Sequence, residues 1–206
     1  MSGGARAGDE SAAVVIEERG AVAVIRINRP AQKNSLSVAT LSTLDQAFSA
    51  LCAREDVGAV VFTGTGDVFA SGADIRELQR LTPGDAREFA GRGQNLFQRI
   101  ASARQLTVAA VNGYCMGGGL DLALTCDVRV ASAAAAFAHP GARLGVITGW
   151  GGTQRLPRLV GAPRALEMFM TARRLGGAEA LEFGLADELA EDALARAVEI
   201  AGRRTK

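Results

Sequence analysis

Apolar and polar residues alternate in two short runs near the start of the chain, at residues 14–18 and 21–28. Arg19 and Gly20 lie between the two runs. Alternation with a period of two is typical of half-buried strands, and a glycine between two such runs favours a turn. The pattern therefore predicts a β-hairpin that ends before Pro30.

The next apolar positions follow helical spacing. Ser37 has a side chain suited to a helix N-cap, and apolar residues recur every three or four positions to about residue 52. Thr82 and Pro83 begin a second helix that runs to about residue 101. Strands alternating with helices favour an α/β fold in one domain, residues 13–206. Further strands are predicted at 57–63, 69–75, 107–111, 128–131 and 136–139, and further helices at 121–125, 163–172, 178–183 and 191–203.

The composition is that of a globular protein without a strongly charged partner. Hydrophobic residues make up 48% of the chain, and 23 basic residues nearly balance 22 acidic ones. No stripe of Lys or Arg stands out, so neither a nucleic acid nor a membrane surface is expected as a partner. Residues 1–12 are small and polar and are expected to form a disordered tail. Because no stretch is apolar enough for a signal or a membrane span, the expected location is the cytoplasm.

Cysteine and histidine limit the chemistry. Cys52, Cys115 and Cys126 are odd in number and widely spaced, which indicates neither a disulfide framework nor a zinc site. His139 is the only histidine, so a multi-histidine metal site is excluded. No serine elbow accompanies it, which argues against a Ser-His-Asp apparatus.

The most informative segment contains three consecutive glycines, residues 117–119. It follows a predicted strand and precedes a helix-like stretch with Asp121 in its first turn. Consecutive glycines suit a place where backbone approaches a ligand, and unpaired N–H groups at a helix start can hold negative charge on an oxygen. The segment indicates an oxyanion hole with an acid beside it. A phosphate-binding loop or a plain tight turn would show the same pattern.

Two further segments carry similar signals. Residues 69–75 place small residues at a strand exit, where Ala73 could direct its N–H into a cleft. An ordinary strand-to-helix turn is the alternative interpretation. Residues 145–152 are rich in glycine and again indicate close backbone approach to a ligand.

Together these segments resemble the crotonase superfamily, also called the enoyl-CoA hydratase/isomerase superfamily. The matching stretches are INRPAQKNSLS, VVFTGTGDVFASGADIREL, VAAVNGYCMGGGLDLALTCDVRVAS and GVITGWGGTQRLPRLVG. The resemblance runs over about residues 14–201, with four motifs in the family's order. It implies a crotonase-type spiral of ββα units, an acyl-CoA thioester as substrate, and no metal or redox cofactor. It also implies a homotrimer or a dimer of trimers.

The resemblance implies roles for individual residues. The backbone N–H groups of Ala73 and Gly118 would form the oxyanion hole for the thioester oxygen, and Asp121 matches the first catalytic acid. Arg29 and Lys33 could meet the phosphates of CoA. The residues that the resemblance places along CoA are Lys33, Leu36, Ala70, Gly72, Ala73, Asp74, Ile75, Arg76, Gly117, Gly118, Gly141 and Gly149.

Several positions depart from the family's pattern. Hydratases use two glutamates, of which the first falls on the shorter Asp121 and the second on Gly141. Isomerases that carry an aspartate at the first position have further acids that would fall on Gly141 and Gly149. His139 is a candidate replacement acid or base, with a polar place in the site wall as the alternative. Arg143 could face a carboxylated acyl group or lie on the surface, and the C-terminal helical part is shorter than is usual in the family.

The sequence therefore predicts an acyl-CoA-processing, enoyl-CoA hydratase-like lyase that adds or removes water through a thioester enolate. Other enolate chemistry, such as isomerisation or decarboxylation, is one alternative. A catalytically weak acyl-CoA-binding homologue is another, because one acid is shortened and the other is absent. A dinucleotide-binding protein is disfavoured, since no GxGxxG motif follows a strand.

Overall fold

The computed structural model describes residues 12–204. The predicted disordered tail, apart from residue 12, lies outside the described residues. Strands and helices alternate through this part of the chain, with 3-10 turns at Pro30–Gln32 and Pro140–Leu144. The strands are β1 Val14–Arg19, β2 Val22–Ile27, β3 Ala59–Gly64, β4 Val68–Ala70, β5 Leu106–Val111, β6 Tyr114–Met116, β7 Val128–Ser132, β8 Ala136–Ala138, β9 Leu175–Gly176 and β10 Glu188–Ala190. The helices are α1 Val38–Cys52, α2 Ile75–Leu78, α3 Pro83–Ala101, α4 Gly118–Thr125, α5 Gly152–Val160, α6 Ala162–Thr171, α7 Gly177–Glu182 and α8 Ala193–Arg204.

The strands form two sheets whose connections repeat along the chain. The larger sheet has the order β1-β2-β3-β5-β7-β10, and the smaller has the order β4-β6-β8-β9. The successive pairs β3 and β4, β5 and β6, and β7 and β8 each send their first strand to the larger sheet and their second to the smaller. Helices follow each pair. The chain thus repeats a ββα unit, as the resemblance implied.

Most strand pairs are parallel. Among the described strands, β1 pairs antiparallel with β2 and β8 pairs antiparallel with β9, and the remaining pairs run parallel. Parallel strands need cover on both faces, which explains why every residue of β3 is buried. The β1–β2 hairpin turns at Gly20 with a φ of 65°, so the predicted hairpin is confirmed.

The two longest helices begin as their sequences predict. The Ser37 hydroxyl accepts a hydrogen bond of 3.1 Å from the Thr40 N–H and caps α1. At α3, Thr82 and Asp85 form a reciprocal capping box, with Pro83 in the first turn. Both helices bury one apolar face, and α1 and α3 pack against each other.

The buried residues form two clusters on opposite sides of the larger sheet. The bigger cluster lies among α1, α3, α4 and both sheets, and it includes Phe62 and Phe97. The second lies under α8, where Ala193, Ala197 and Ala201 repeat every four residues against β3, β5 and β7. Alanine at this spacing lets the helix backbone approach the sheet closely.

The structure differs from the sequence-based prediction mainly around the glycines. A short strand, β6, lies between β5 and the glycine turn, and α4 begins at Gly118 rather than near Asp121. Residues 152–160 form α5, which follows directly from the predicted glycine-rich loop. In residues 12–204, none of the helices is both long and apolar enough to cross a membrane.

Candidate active site

The glycine turn places the first amides of α4 against the end of β4. Gly117 precedes the helix with φ 52° and ψ −121°, and its amide N–H bonds to the Ala138 carbonyl. A Cβ at Gly119 would lie 2.2 Å from the Ala70 carbonyl oxygen, so only glycine permits this approach. Gly118 is the first helical residue, and its N–H belongs to the first turn, where amides have no partner within the helix.

The segment after β4 brings a second amide to the same place. Gly72 has a φ of 92°, and a Cβ there would lie 2.8 Å from the Gly118 nitrogen. The Leu36 N–H donates to the Gly72 carbonyl at 2.7 Å, within an isolated parallel bridge between Leu36 and Ala73. In such a bridge the bonds go to the neighbours of Ala73, which leaves its own N–H outside the bridge. Gly72, next to Ala73, therefore lies against the backbone of Gly118.

Ala73 and Gly118 both line a cavity of about 280 Å³. Its wall is largely apolar and includes Ala73, Gly118, Phe89 and Trp150. Among the described residues that line it, none is an aspartate or a glutamate. The polar side chains that line this cavity are Ser71, His139 and Thr148.

Trp150 closes the cavity beside the glycine turn. Its ring packs 5.2 Å from the ring of Phe89 and 5.6 Å from that of Phe97, measured between centroids. A Cβ at Gly118 would lie 2.3 Å from the Trp150 ring, and a Cβ at Gly93 would lie 2.4 Å from it. The two glycines therefore create the space that this buried indole occupies.

Asp121 lies one turn into α4 and is completely buried. Its Oδ2 accepts hydrogen bonds from the Thr148 hydroxyl and, at 3.3 Å, from the Trp150 N–H. Burial raises the pKa of Asp121 to about 7, although these two bonds and the charge of Arg155 act to lower it. The predicted acid therefore lies beside the glycine turn but behind the cavity wall.

His139 follows β8 and lies against Asp121. Its Nε2 is 3.6 Å from Asp121 Oδ1, and its ring centroid is 5.0 Å from that of Phe169. Within residues 12–204, neither nitrogen of His139 nor Asp121 Oδ1 has a hydrogen-bond partner. Burial lowers the pKa of His139 to about 4. Between pH 4 and pH 7 both side chains are therefore uncharged.

The chain matches the family model described as enoyl-CoA hydratase/isomerase over residues 17–203. The chain belongs to the enoyl-CoA hydratase/isomerase family. The short-chain-enoyl-CoA hydratase of Clostridium acetobutylicum is 40% identical over 86% of this chain and 69% of its own length. The crotonyl-CoA hydratase of Syntrophomonas wolfei is 40% identical over 92% of this chain and 74% of its own. The sequence-based prediction of an enoyl-CoA hydratase-like enzyme is confirmed.

Solved structures of similar proteins have the same fold. The enoyl-CoA hydratase from Thermoplasma volcanium superposes with a TM-score of 0.90 at 35% identity, covering 95% of this chain and 78% of that one. DspI from Pseudomonas aeruginosa gives a TM-score of 0.89 at 35% identity, covering 96% and 82%. The predicted crotonase-type fold is thereby confirmed.

In this hydratase/isomerase family member, backbone occupies the space beside Gly141. A Cβ at Gly141 would lie 2.3 Å from the Val146 carbonyl oxygen, and the Val146 N–H donates to the Gly141 carbonyl at 3.0 Å. Gly149 also lines the cavity, and its carbonyl accepts a hydrogen bond of 2.8 Å from Gln94. Both positions contribute backbone rather than an acid.

More than half of the residues that the resemblance placed along CoA line the cavity, namely Gly72, Ala73, Ile75, Gly117, Gly118, Gly141 and Gly149. Asp74 caps α2 and forms an ion pair of 2.8 Å with Arg76, which lowers the pKa of Asp74 to about 2. Ile75 and Lys33 are exposed, and Ile75 lines the cavity. Ala70 is instead fully buried. Leu36, Gly72 and Gly117 lie in or beside the backbone contacts that hold the two amides together.

Arg29 points into the protein rather than toward a ligand. Its guanidinium donates to the Ser35 carbonyl at 2.9 Å and to the Thr40 hydroxyl at 3.2 Å. Asn34 is also turned inward, where its amide nitrogen donates to the Val68 carbonyl at 2.6 Å. These two residues hold the loop before α1.

Two side chains of the site were missed in the sequence. Thr148 and Trp150 stand within the quoted segment GVITGWGGTQRLPRLVG, but no role was predicted for either. The sequence offered one signal for them, since the chain's single tryptophan and one threonine stand among the glycines of this segment. Arg143, in contrast, is exposed in the 3-10 turn at Pro140–Leu144 and does not line the cavity.

Proposed function

We propose that this protein adds water to the double bond of a short-chain enoyl-CoA thioester and catalyses the reverse elimination. The supporting observation is that Ala73 and Gly118, whose backbone amides are the proposed donors, both line a small apolar cavity. Two relatives at 40% identity are named for short-chain-enoyl-CoA and crotonyl-CoA substrates. A cavity of about 280 Å³ suits a short acyl chain.

The proposed role of the two amides is to hold the thioester oxygen. When water bonds to Cβ, the electron pair of the double bond moves toward this oxygen and an enolate forms. Fixed donors stabilise the charge where it develops, and they require no reorganisation during the step. Loss of one such donor typically lowers kcat by about 10²–10³-fold.

Asp121 is the proposed acid and base. It is the only carboxylate that matches a catalytic acid of the family, and it lies one helical turn from the Gly118 amide. Its pKa of about 7 lets it exchange a proton near neutral pH. His139, which lines the cavity, is a titratable neighbour, with its Nε2 3.6 Å from Asp121 Oδ1.

The remaining parts of the proposal concern the substrate's CoA moiety and assembly. Lys33 and Arg76 are exposed, Arg76 follows the cavity-lining Ile75, and both are proposed to meet the CoA phosphates. Leu166 and Met170 lie four residues apart on α6 with 61% and 70% exposure, which supports burial between copies in a homotrimer or dimer of trimers. We place the protein in the cytoplasm. No cofactor is proposed, because hydration transfers neither a hydride nor an electron.

One observation favours a second candidate, a binding protein with weak catalysis. The carboxyl of Asp121 does not line the cavity, and the described residues supply no other carboxylate there. Such a protein would bind acyl-CoA tightly and hydrate crotonyl-CoA at a rate little above the background.

Two variants of Gly118 test the oxyanion assignment. Alanine and proline would both place a Cβ against the Trp150 ring, but only proline removes the N–H. Hydration of crotonyl-CoA, measured by loss of enoyl absorbance, should fall about 100-fold or more in Gly118→Pro relative to Gly118→Ala. Acyl-CoA affinity by calorimetry, and the melting temperature, show whether each variant is folded. Equal hydration rates in the two variants would contradict the proposal.

A further inference from the structure

The proposed acid cannot reach the substrate directly. Asp121 is completely buried and is not among the described residues that line the cavity. A side chain that lines the cavity and contacts this carboxyl can pass a proton between the carboxyl and a bound acyl group. The cavity-lining side chains next to Asp121 that can carry a proton are Thr148 and His139.

Thr148 meets both requirements. It is half-buried in the cavity wall, and its hydroxyl donates to Asp121 Oδ2. His139 meets them less well, since both its nitrogens are buried and its Nε2 lies 3.6 Å from Asp121 Oδ1, too far for a hydrogen bond.

Gly152 permits this arrangement. A Cβ at Gly152 would lie 2.1 Å from Asp121 Oδ1, 2.8 Å from Thr148 Cγ2 and 3.0 Å from His139 Cε1. The three side chains thus converge on the start of α5, where any side chain would separate them. Glycine at position 152 therefore leaves room for the hydrogen bond between Thr148 and Asp121.

We propose that Thr148 is a catalytic residue that carries protons between the acyl cavity and the buried Asp121. This inference rests on the proposed hydration and assigns its proton route. One acid behind one hydroxyl replaces the two acids that face the substrate in the family's hydratases.

The proposed route balances with a single acid. Asp121 starts as a carboxylate. As the water oxygen bonds to Cβ, the water gives a proton to Thr148 Oγ1, and the Thr148 proton moves to Asp121 Oδ2. The electron pair of the double bond moves onto the thioester oxygen as the enolate forms. The proton then returns from Asp121 through Thr148 to Cα, and the enolate collapses. Water has been added, and both residues regain their starting states.

The route predicts activity that rises with pH, because it starts from the carboxylate. The titratable side chains that face Asp121 are those of His139 after β8, Arg155 on α5 and Cys115 on β6. Burial keeps His139 and Cys115 uncharged at neutral pH, and Arg155 is the charged neighbour that favours the carboxylate. The rate should therefore rise as the pH passes through about 7, where the Asp121 carboxyl ionises.

Three threonine variants test the route. Thr148→Val keeps the shape and removes the hydroxyl, whereas Thr148→Ser keeps the hydroxyl. Thr43→Val is the matched control, because Thr43 is exposed on α1, where its hydroxyl bonds to the Ala39 carbonyl. Each protein is assayed for hydration of crotonyl-CoA between pH 5.5 and pH 8.5, and for exchange of the Cα hydrogens of butyryl-CoA in D₂O. Calorimetry with butyryl-CoA checks binding, and urea unfolding checks the fold.

We expect Thr148→Val to lose about 100-fold or more in the kcat of hydration and in exchange, with KM nearly unchanged. In wild type the Thr148 hydrogen bond lowers the pKa of Asp121, so its loss should raise that pKa. The residual activity of Thr148→Val should therefore rise at a higher pH than the activity of wild type. Thr148→Ser and Thr43→Val should stay within about fivefold of wild type. A purely structural role would lower stability and acyl-CoA affinity together with the rate, whereas the proposed route lowers kcat and exchange and leaves binding and the fold intact.

The two assays separate this inference from the proposed function. Exchange that depends on Thr148, without hydration by wild type, would support the route and overturn hydration as the reaction. Hydration by Thr148→Val within about fivefold of wild type would overturn the route and leave the proposed function intact. A wild type that binds butyryl-CoA but neither hydrates nor exchanges would overturn both.

Discussion

The contributions of buried Asp121 and His139 to the pH dependence of the unfolding free energy should cancel. Substitution of either residue alone should reveal the contribution of the other. The unfolded chain holds these groups near their ordinary pKa values of 3.8 and 6.5, whereas burial shifts them to about 7 and about 4 in the folded protein. Between pH 4 and pH 6.5 the folded pair therefore carries one proton, on the aspartate. The unfolded pair also carries one, on the histidine. Folding then neither takes up nor releases a proton at this pair.

Removal of one partner should leave a slope of known sign. In Asp121→Asn, the unfolded histidine takes up a proton below pH 6.5 and the folded one does not, so stability should rise with pH. In His139→Gln, the folded aspartate keeps a proton that the unfolded one loses above pH 3.8, so stability should fall with pH. One proton corresponds to a slope of up to about 1.4 kcal/mol per pH unit, or about 2 kcal/mol between pH 4.5 and pH 6.5, where the groups are in part titrated.

Urea unfolding of wild type and both variants at pH 4.5, 5.5 and 6.5 measures these slopes. Groups elsewhere, such as Asp74, contribute equally to all three proteins, so the difference between each variant and wild type isolates the pair. We expect the two differences to change in opposite directions with pH. Two variants that both keep the wild-type slope would refute the reasoning, because the side chains would then not titrate as buried groups.

Two further predictions concern space at glycines. Gly141→Glu should not raise hydration and should cost about 1–3 kcal/mol of stability, because its Cβ would lie 2.3 Å from a backbone carbonyl, whereas a Cβ at Gly149 meets nothing within 4 Å. Urea unfolding of Gly141→Glu and Gly149→Ala checks this, and a more active Gly141→Glu would contradict it. Gly91→Ala should stabilise α3 by up to about 1 kcal/mol, since nothing lies within 4 Å of its Cβ. Gly93→Ala should destabilise the protein by about 1–3 kcal/mol through its clash with Trp150. Similar melting temperatures for Gly91→Ala and Gly93→Ala would contradict this prediction.

The fold followed from the sequence wherever an element was long enough to show its period. The β1–β2 hairpin, α1 and α3 carry clear alternation or helical spacing together with turn and cap residues, and they lie where predicted. The strands β6 and β10 have three residues each, which is too short for any period to appear. Their pairing depends on neighbouring strands that are distant in the chain.

The site was predictable only in its backbone. Gly72, Gly118 and Gly119 mark close approach in the sequence itself, because a Cβ at each would lie within 3 Å of a neighbouring atom. The burial of the Asp121 carboxyl depends instead on the contact of α4 with the loop that carries Thr148 and Trp150, 27 and 29 residues away. Local pattern carries no information about such a contact, and the same holds for the backbone that fills the space beside Gly141.

The most direct test of the account is the rate of crotonyl-CoA hydration by wild type and Asp121→Asn, measured above pH 7 with acyl-CoA binding checked in parallel. Wild type should hydrate at a rate well above the uncatalysed reaction. Asp121→Asn should be slower by about 100-fold or more while it binds acyl-CoA with nearly wild-type affinity. A wild type that binds acyl-CoA without hydrating it, or an Asp121→Asn variant as fast as wild type, would contradict the claim that this buried acid drives hydration.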